Sequence, residues 1–222
     1  MLKNRWSILA LLIIVRFVMG FQFQAVASVT PFLVVDLGVD YSQIGTLVGL
    51  YMLPGLVIAL PGAMLANRFS DLTMVLFGVG VMAVGGVITG LADNYAAVAI
   101  GRLVSGVGAV LQSLFMLKMV ADWFDENSIT TAMALLLVGW PVGFAFALIS
   151  MGPLAEVWNW QGVMHLTALT CLLALITIRI GCRAPMGGQS ESRIGLRFQM
   201  PRREFALVCY TGIVWAFYNI AY

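Results

Sequence analysis

Ionisable residues are scarce in this 222-residue sequence, which has 10% charged side chains and one histidine. Soluble domains usually carry about a quarter charged residues. With 61% hydrophobic residues and a mean hydropathy of +0.98, a soluble fold would lack the polar surface needed to cover its core. The composition therefore excludes an ordinary soluble domain and favours a chain that lies in lipid.

Cysteine is also rare, and its spacing argues against metal binding or disulfides. Cys171, Cys182 and Cys209 form no CxxC pair, and the first and last lie in apolar segments, where a thiol behaves as a small hydrophobe. The sequence contains no HExxH, GxSxG or GxxxxGK[ST] motif and no paired carboxylates within an apolar segment. We therefore expect no cofactor, no metal, no nucleic-acid partner and no enzymatic activity.

Long apolar segments are abundant. About 20 apolar residues, at about 1.5 Å each, cross the hydrocarbon core of a bilayer. On that length the sequence predicts six membrane spans and a partial seventh, over residues 6–35, 43–66, 72–92, 95–118, 129–151, 160–180 and 205–222. This predicts an all-α membrane protein with a six-helix bundle at 1–180, a linker loop at 181–204 and the start of a second bundle at 205–222. We interpret the early stop as the end of a truncated sequence.

The connections between the predicted spans differ in charge. The first, third and fifth, over residues 36–40, 93–95 and 152–159, contain acidic residues but no Lys or Arg. The other set is basic and holds Lys3, Arg5, Arg68, Lys118, Arg183, Arg193, Arg197, Arg202 and Arg203. By the positive-inside rule this predicts a cytoplasmic N-terminus, with a basic linker that contacts anionic lipid.

Proline and glycine suggest an internal repeat. Pro54 and Pro141 lie in the middle of the second and fifth spans, each after a polar, acidic connection. Those two connections lie on opposite sides by the charge distribution, so the pattern predicts two inverted three-span repeats. Close helix contacts are predicted at the small-xxx-small pairs Gly45/Gly49, Gly86/Gly90 and Gly139/Gly143. These pairs fit static packing as well as helices that rock.

Five segments carry a resemblance to a known family. Residues 101–109, with Arg102, Gly106 and Gly108, resemble the RxxxGxGxA motif of the major facilitator superfamily. In the fifth span Gly139, Pro141 and Gly143 resemble the glycine-proline motif of that family, and Trp158-Asn159-Trp160 its Trp-x-Trp. Residues 63–71 resemble its loop GxLADRxGR, with Arg68 the only charged position retained. Residues 44–62 are similar to cyanate and nitroimidazole permeases.

The resemblance implies a fold and a function. It implies the N-terminal half of a symporter or antiporter in the bacterial inner membrane, with alternating access between two six-helix halves, of which the C-terminal half is missing here. Protons are the coupling ion that it implies, whereas a small polar or anionic solute is the partner that the intramembrane arginines favour. Because topology alone does not give mechanism, a channel-like or non-transporting membrane protein stays open as the alternative.

Two arginines are the candidates for solute contact. A charge at the bilayer centre costs about 2.5 to 3.5 kcal/mol on insertion scales, so Arg16 and Arg102 should face the bundle interior and have partners. Every Asp and Glu of the six complete spans lies in a connection or at an end, which leaves backbone carbonyls, the missing half or an anionic solute. Solute contact is the sharper hypothesis at Arg16, and Gln24 lies on the same broad side of that helix at about 100° per residue.

Aromatic residues near the two mid-span prolines are further candidates. Tyr51 and Trp140 have apolar bodies and polar tips, and in the repeat-related spans they would line the pathway. Packing or lipid contact is the alternative for each. His165, in the sixth span, is a candidate proton carrier, with a hydrogen-bonded structural role as the alternative.

Overall fold

The computed structural model describes residues 4–58 and 69–182. Within them lie α1 (Arg5–Ser28), α2 (Thr30–Leu37), α3 (Tyr41–Met52), α4 (Asp71–Gly90), α5 (Tyr95–Trp123) and α6 (Glu126–Gly181). These ranges contain no strand, which confirms the all-α class. Arg68, the linker from residue 183 and the predicted seventh span lie outside the described residues.

Five helical segments are long and apolar enough to cross a membrane, namely Arg5–Ser28, Tyr41–Ile58, Asp71–Gly90, Tyr95–Trp123 and Glu126–Gly181. The last has 56 residues and consists of two helices that meet at Asn159, where φ is 58° and ψ is 171°. With that break counted, the segments follow the order of the six complete predicted spans.

The prediction of one helix over residues 6–35 is wrong. α1 ends at Ser28, and α2 starts at Thr30 with Pro31 in its first turn. A proline there is favoured because its missing N–H would have no partner inside the helix. α2 then ends at Gly38, whose φ of 63° suits a residue without a Cβ.

The prediction of a loop over residues 152–159 is also wrong. α6 continues through Pro153 to the break at Asn159, since a proline in a membrane helix is tolerated where neighbours satisfy the freed backbone groups. Asparagine is enriched among residues with positive φ. The Asn159 side-chain oxygen accepts a hydrogen bond from the Gly162 backbone N–H at 2.9 Å, so it caps the following segment.

Glycine lets the helices meet backbone to backbone. At the α1–α6 interface a Cβ on Gly20, Gly139 or Gly143 would collide with the backbone of the facing helix, which confirms the close contact predicted for the last two. The same holds between α4 and α5 at Gly78, Gly85, Gly101 and Gly108. Gly86 and Gly90 also lie in close contact with the sixth span, as predicted.

The third predicted glycine pair differs. A Cβ added at Gly45 or Gly49 would meet no atom within 4 Å among the described residues, so the close contact predicted there is not found within this bundle. α3 and α6 also bury a smaller share of their apolar windows than α1, α4 and α5 do. Within the described residues, α3 and α6 therefore have more open surface than the other membrane-crossing helices.

One end of the bundle is held by ion pairs. Arg5 Nη1 lies 2.8 Å from an Asp125 oxygen, and Lys118 Nζ lies 2.7 Å from Asp71 and 3.1 Å from Asp122. These residues come from the chain start and from the second and fourth connections.

Other contacts link the first and third connections to the span ends beside them. Trp160 Nε1 donates to Asp36 Oδ2 at 2.8 Å, and the Tyr95 hydroxyl donates to the Gln43 carbonyl at 3.5 Å. The even and odd connections thus form two separate groups, as alternating spans require. Which group is cytoplasmic stays a prediction.

Candidate solute-binding site

Arg102 is tied to three backbone carbonyls. Its side chain is buried, with 2% exposure. Nε donates to the Leu47 carbonyl at 3.2 Å, Nη1 to that of Gln22 at 3.1 Å and Nη2 to that of Phe23 at 2.8 Å. The guanidinium lies over the Tyr51 ring, 4.5 Å from its centroid. Backbone carbonyls, one of the three kinds of partner that the sequence allowed, therefore bind Arg102. These hydrogen bonds connect α5 to α1 and α3.

The glycines that follow Arg102 set helix spacing. Gly106 lies against the backbone carbonyl of Tyr51 in α3, and Gly108 lies against the α4 backbone at Gly78 and Met82. A side chain at either position would push two helices apart. The motif in α5 is therefore a packing element in this bundle.

Arg16 is held much more loosely than Arg102. It is half-buried, and its Nη1 donates to the Ser113 hydroxyl at 2.7 Å and contacts the Met19 sulfur at 3.6 Å. Its Nε is buried and has no hydrogen-bond partner among the described residues. Over residues 4–58 and 69–182 the ion pairs are those at the helix ends, and none includes Arg16. The Nε–H donor of this guanidinium is thus unused within the described residues.

Trp140 lies beside Arg16. A Cβ on the preceding residue, Gly139, would come within 3.0 Å of the Arg16 Cβ. The Trp140 ring packs against Phe23 at 5.5 Å and against Phe144 at 5.8 Å between centroids. Its Nε1 is buried, with no hydrogen-bond partner in the described part of the chain.

Tyr51 lies deeper than Trp140. Its ring meets Phe23 edge-on at 5.4 Å, its side chain is 1% exposed, and its hydroxyl has no partner among the described residues. The structure therefore groups Tyr51 and Trp140 around Phe23, and Arg16 contacts Gly139, the residue before Trp140.

Other predicted residues lie outside that group. Gln24 is buried, but it lies about 12 Å from Arg16 along the helix axis, at 1.5 Å per residue. Gly143 packs on α1 at Phe17, and Pro141 is exposed within α6. His165 is exposed and lies against Gly90.

Two polar residues of α5 were missed by the sequence reasoning. Ser113 accepts the hydrogen bond from Arg16. Gln112, at 0% exposure, has two side-chain amide atoms without a partner among the described residues. They form the only polar pair in the apolar stretch 107–117, which is the signal that would have found them.

A sequence profile described as the Major Facilitator Superfamily matches residues 12–221. The chain belongs to the major facilitator superfamily. With the apolar helices, this membership makes it an integral, multi-pass membrane protein, as predicted. Its resemblance to the cyanate and nitroimidazole permeases within the superfamily stays a prediction.

Curated relatives are named as transporters. The inner membrane transport protein YajR of Escherichia coli is 29% identical over 141 residues, which are 64% of this chain and 29% of that protein. The sialic acid transporter NanX of Escherichia coli is 26% identical over 162 residues, 70% of this chain and 38% of that protein. The chain thus spans less than half the length of these relatives, whose names point away from an enzyme.

Solved structures share the fold. An inward-facing, unoccupied bacterial homologue of the human lysosomal transporter Spinster has a TM-score of 0.69 at 18% identity, over 87% of this chain and 48% of that one. A peptide transporter in complex with alafosfalin has a TM-score of 0.68 at 16% identity, over 96% of this chain and 46% of that one. The predicted half of a major-facilitator fold is confirmed.

Proposed function

We propose that this chain is the N-terminal half of a secondary transporter that moves a small anionic solute by alternating access. The observation that carries the proposal is the incomplete pairing of Arg16, whose buried Nε has no hydrogen-bond partner and whose side chain pairs with no carboxylate in the described residues. An intramembrane charge is expensive to keep and is usually matched by a partner. An anionic solute is the partner that we assign to Arg16.

The contrast with Arg102 supports this assignment. Both arginines lie within membrane-crossing helices, but Arg102 donates to three carbonyls, whereas Arg16 donates to one hydroxyl and contacts one thioether. Backbone carbonyls of the bundle satisfy the charge of Arg102. Arg16 has no comparable set of acceptors in the described residues. One relative, NanX, is named a sialic acid transporter, so its named solute is an acid.

Alternating access requires a second half. Gly45, Gly49 and much of α6 are exposed in the described bundle, which is consistent with surfaces that a second six-helix half, or a second copy of this chain, would cover. Coupling to protons belongs to the same proposal. It predicts that a pH gradient across the membrane changes the initial rate of uptake.

The test is uptake of labelled small anions, cyanate included, into proteoliposomes that contain the protein in the longest form in which cells make it. Arg16→Gln should lower saturable uptake by at least about tenfold, because hydrogen bonds to charged groups contribute about 1.5 to 3 kcal/mol. Arg179→Gln is the matched control, since Arg179 is exposed near the end of α6.

Three results separate the alternatives. Uptake that is equal in the Arg16 and Arg179 variants would return Arg16 to a structural role. Flux that does not saturate and shows no counter-flow would favour the channel-like alternative. An uptake rate that does not change with an imposed pH gradient would contradict proton coupling but not the carrier mechanism.

A further inference from the structure

The two intramembrane arginines occupy equivalent places in the internal repeat. Segments 16–20 and 102–106 both read Arg-x-x-x-Gly. The glycine of the first lies against the backbone carbonyl of Trp140 in the fifth span, and the glycine of the second lies against that of Tyr51 in the second span. Each arginine thus has a glycine one turn further on, and an aromatic residue of a repeat-related span packs on that glycine.

The two places differ in how the arginine meets its aromatic residue. The Arg102 guanidinium lies over the Tyr51 ring, and its donors are bound to carbonyls. Among the described residues the Arg16 guanidinium lies over no aromatic ring, because it turns towards Ser113. The Arg16 and Trp140 pair therefore lacks the contact between guanidinium and aromatic ring that Arg102 and Tyr51 make.

The free donors of Arg16 lie on one edge of the guanidinium. Nη1 is used by Ser113 and Met19, whereas Nε is buried without a partner in the described ranges. In a guanidinium the N–H groups of Nε and Nη2 point the same way and form a fork that binds a carboxylate through two parallel hydrogen bonds. A monatomic or linear anion would use only part of that fork.

Two aromatic residues follow the point where α6 packs on Arg16, because Gly139, which contacts the Arg16 side chain, directly precedes Trp140. Trp140 and Phe144 are half-buried, and Phe23 supports both rings from α1. The Trp140 Nε1, which is buried and has no partner within residues 4–58 and 69–182, adds an unused donor to this cluster. Flat aromatic faces favour planar, unsaturated groups by stacking, beyond their preference for apolar surface in general.

We propose that Arg16 and Trp140 form a subsite for a planar organic carboxylate. The carboxylate binds the Nε and Nη2 edge of Arg16, and the flat body of the solute lies against Trp140 and Phe144. This inference rests on the proposed function and narrows its solute class from small anions in general to aromatic or conjugated carboxylates.

The test is equilibrium binding of three matched probes to the 222-residue chain in lipid nanodiscs. Benzoate is planar and charged, cyclohexanecarboxylate is charged but not planar, and benzamide is planar but neutral. Benzoate should bind about tenfold more tightly than either of the others. Since cyclohexanecarboxylate is the more apolar anion, general hydrophobic binding would give the opposite order of the two acids.

Variants assign each preference to its residue. Arg16→Gln should abolish the preference for benzoate over benzamide, and Trp140→Leu should abolish the preference for benzoate over cyclohexanecarboxylate. Trp140→Phe keeps a flat face and should retain most of that second preference, which guards against a folding defect in the leucine variant. Trp158→Leu, at an exposed tryptophan of the same helix, is the control and should change neither.

The outcomes separate the two proposals. If both acids bind equally tightly and Arg16→Gln abolishes the binding of both, the planar subsite is overturned and the proposed anion carrier function stands. If benzoate binds unchanged to Arg16→Gln, the subsite is overturned. If no acid binds and Arg16→Gln leaves anion uptake unchanged, the proposed function fails together with it.

Discussion

The contact between α1 and α6 gives a quantitative prediction at Gly143. A Cβ at that position would collide with the Phe17 carbonyl oxygen and lie 2.8 Å from its carbonyl carbon and 3.0 Å from the Phe21 nitrogen. Ordinary contact begins at 3.4 Å, so Gly143→Ala must separate the helices by at least about 0.6 Å. The obstructing atoms are backbone, so no side chain can rotate away. Overpacking of this kind typically costs about 1 to 3 kcal/mol.

Unfolding of the detergent-solubilised protein, followed by tryptophan fluorescence during an SDS titration, measures this cost. Gly45→Ala and Gly49→Ala are the matched controls, because their added Cβ atoms meet nothing within 4 Å in the described bundle. Alanine is the better helix former, so the controls should be neutral or up to about 1 kcal/mol more stable. A Gly143→Ala protein as stable as the controls would refute the backbone contact.

Two further predictions use the same unfolding measurement. Arg102→Met should lower the free energy of unfolding by about 2 to 4 kcal/mol, since three hydrogen bonds to carbonyls are lost while the desolvation cost of a buried charge is relieved. Arg102→Lys should restore little of that loss because a lysine lacks the planar fork. A methionine variant of full stability would contradict a stabilising role for these three hydrogen bonds. Trp160→Phe should cost about 1 to 2 kcal/mol by removing the bond to Asp36. Asp36→Ala should add almost nothing to that variant if the bond is real, whereas additive losses would show that the two residues do not couple.

The spans were predictable from sequence, whereas their ends were less so. Hydropathy over about 20 residues finds a membrane helix whatever its neighbours are, and the six complete predicted spans occur in order. The fifth connection is predicted at residues 152–159, a segment between two apolar runs that contains Glu156 and begins with Gly152 and Pro153. In a bundle the helix tolerates both, and Asn159 makes the break through a backbone conformation that composition does not reveal.

The residues of the candidate site were predictable from the sequence, but the groups that they contact were not. Arg16 and Arg102 stand out because a charge within an apolar run is costly. What distinguishes them is which groups they meet, and the carbonyls that hold Arg102 have no signature in the sequence, because every residue has one. Ser113, which holds Arg16, carried a signal in its polar neighbour Gln112, but only the fold shows that it faces α1.

The hydrogen bond between Arg16 and Ser113 also bears on how the protein is made. The two residues are separated by 97 positions in the chain, so at about 5 to 20 residues per second the ribosome delivers the hydroxyl about 5 to 20 s after the guanidinium. During that interval α1 enters the membrane with a charge whose partner on α5 has not yet been synthesised. The hydrogen bond that holds Arg16 can therefore form only after the fourth span has been synthesised, which couples the final packing of α1 to that of α5.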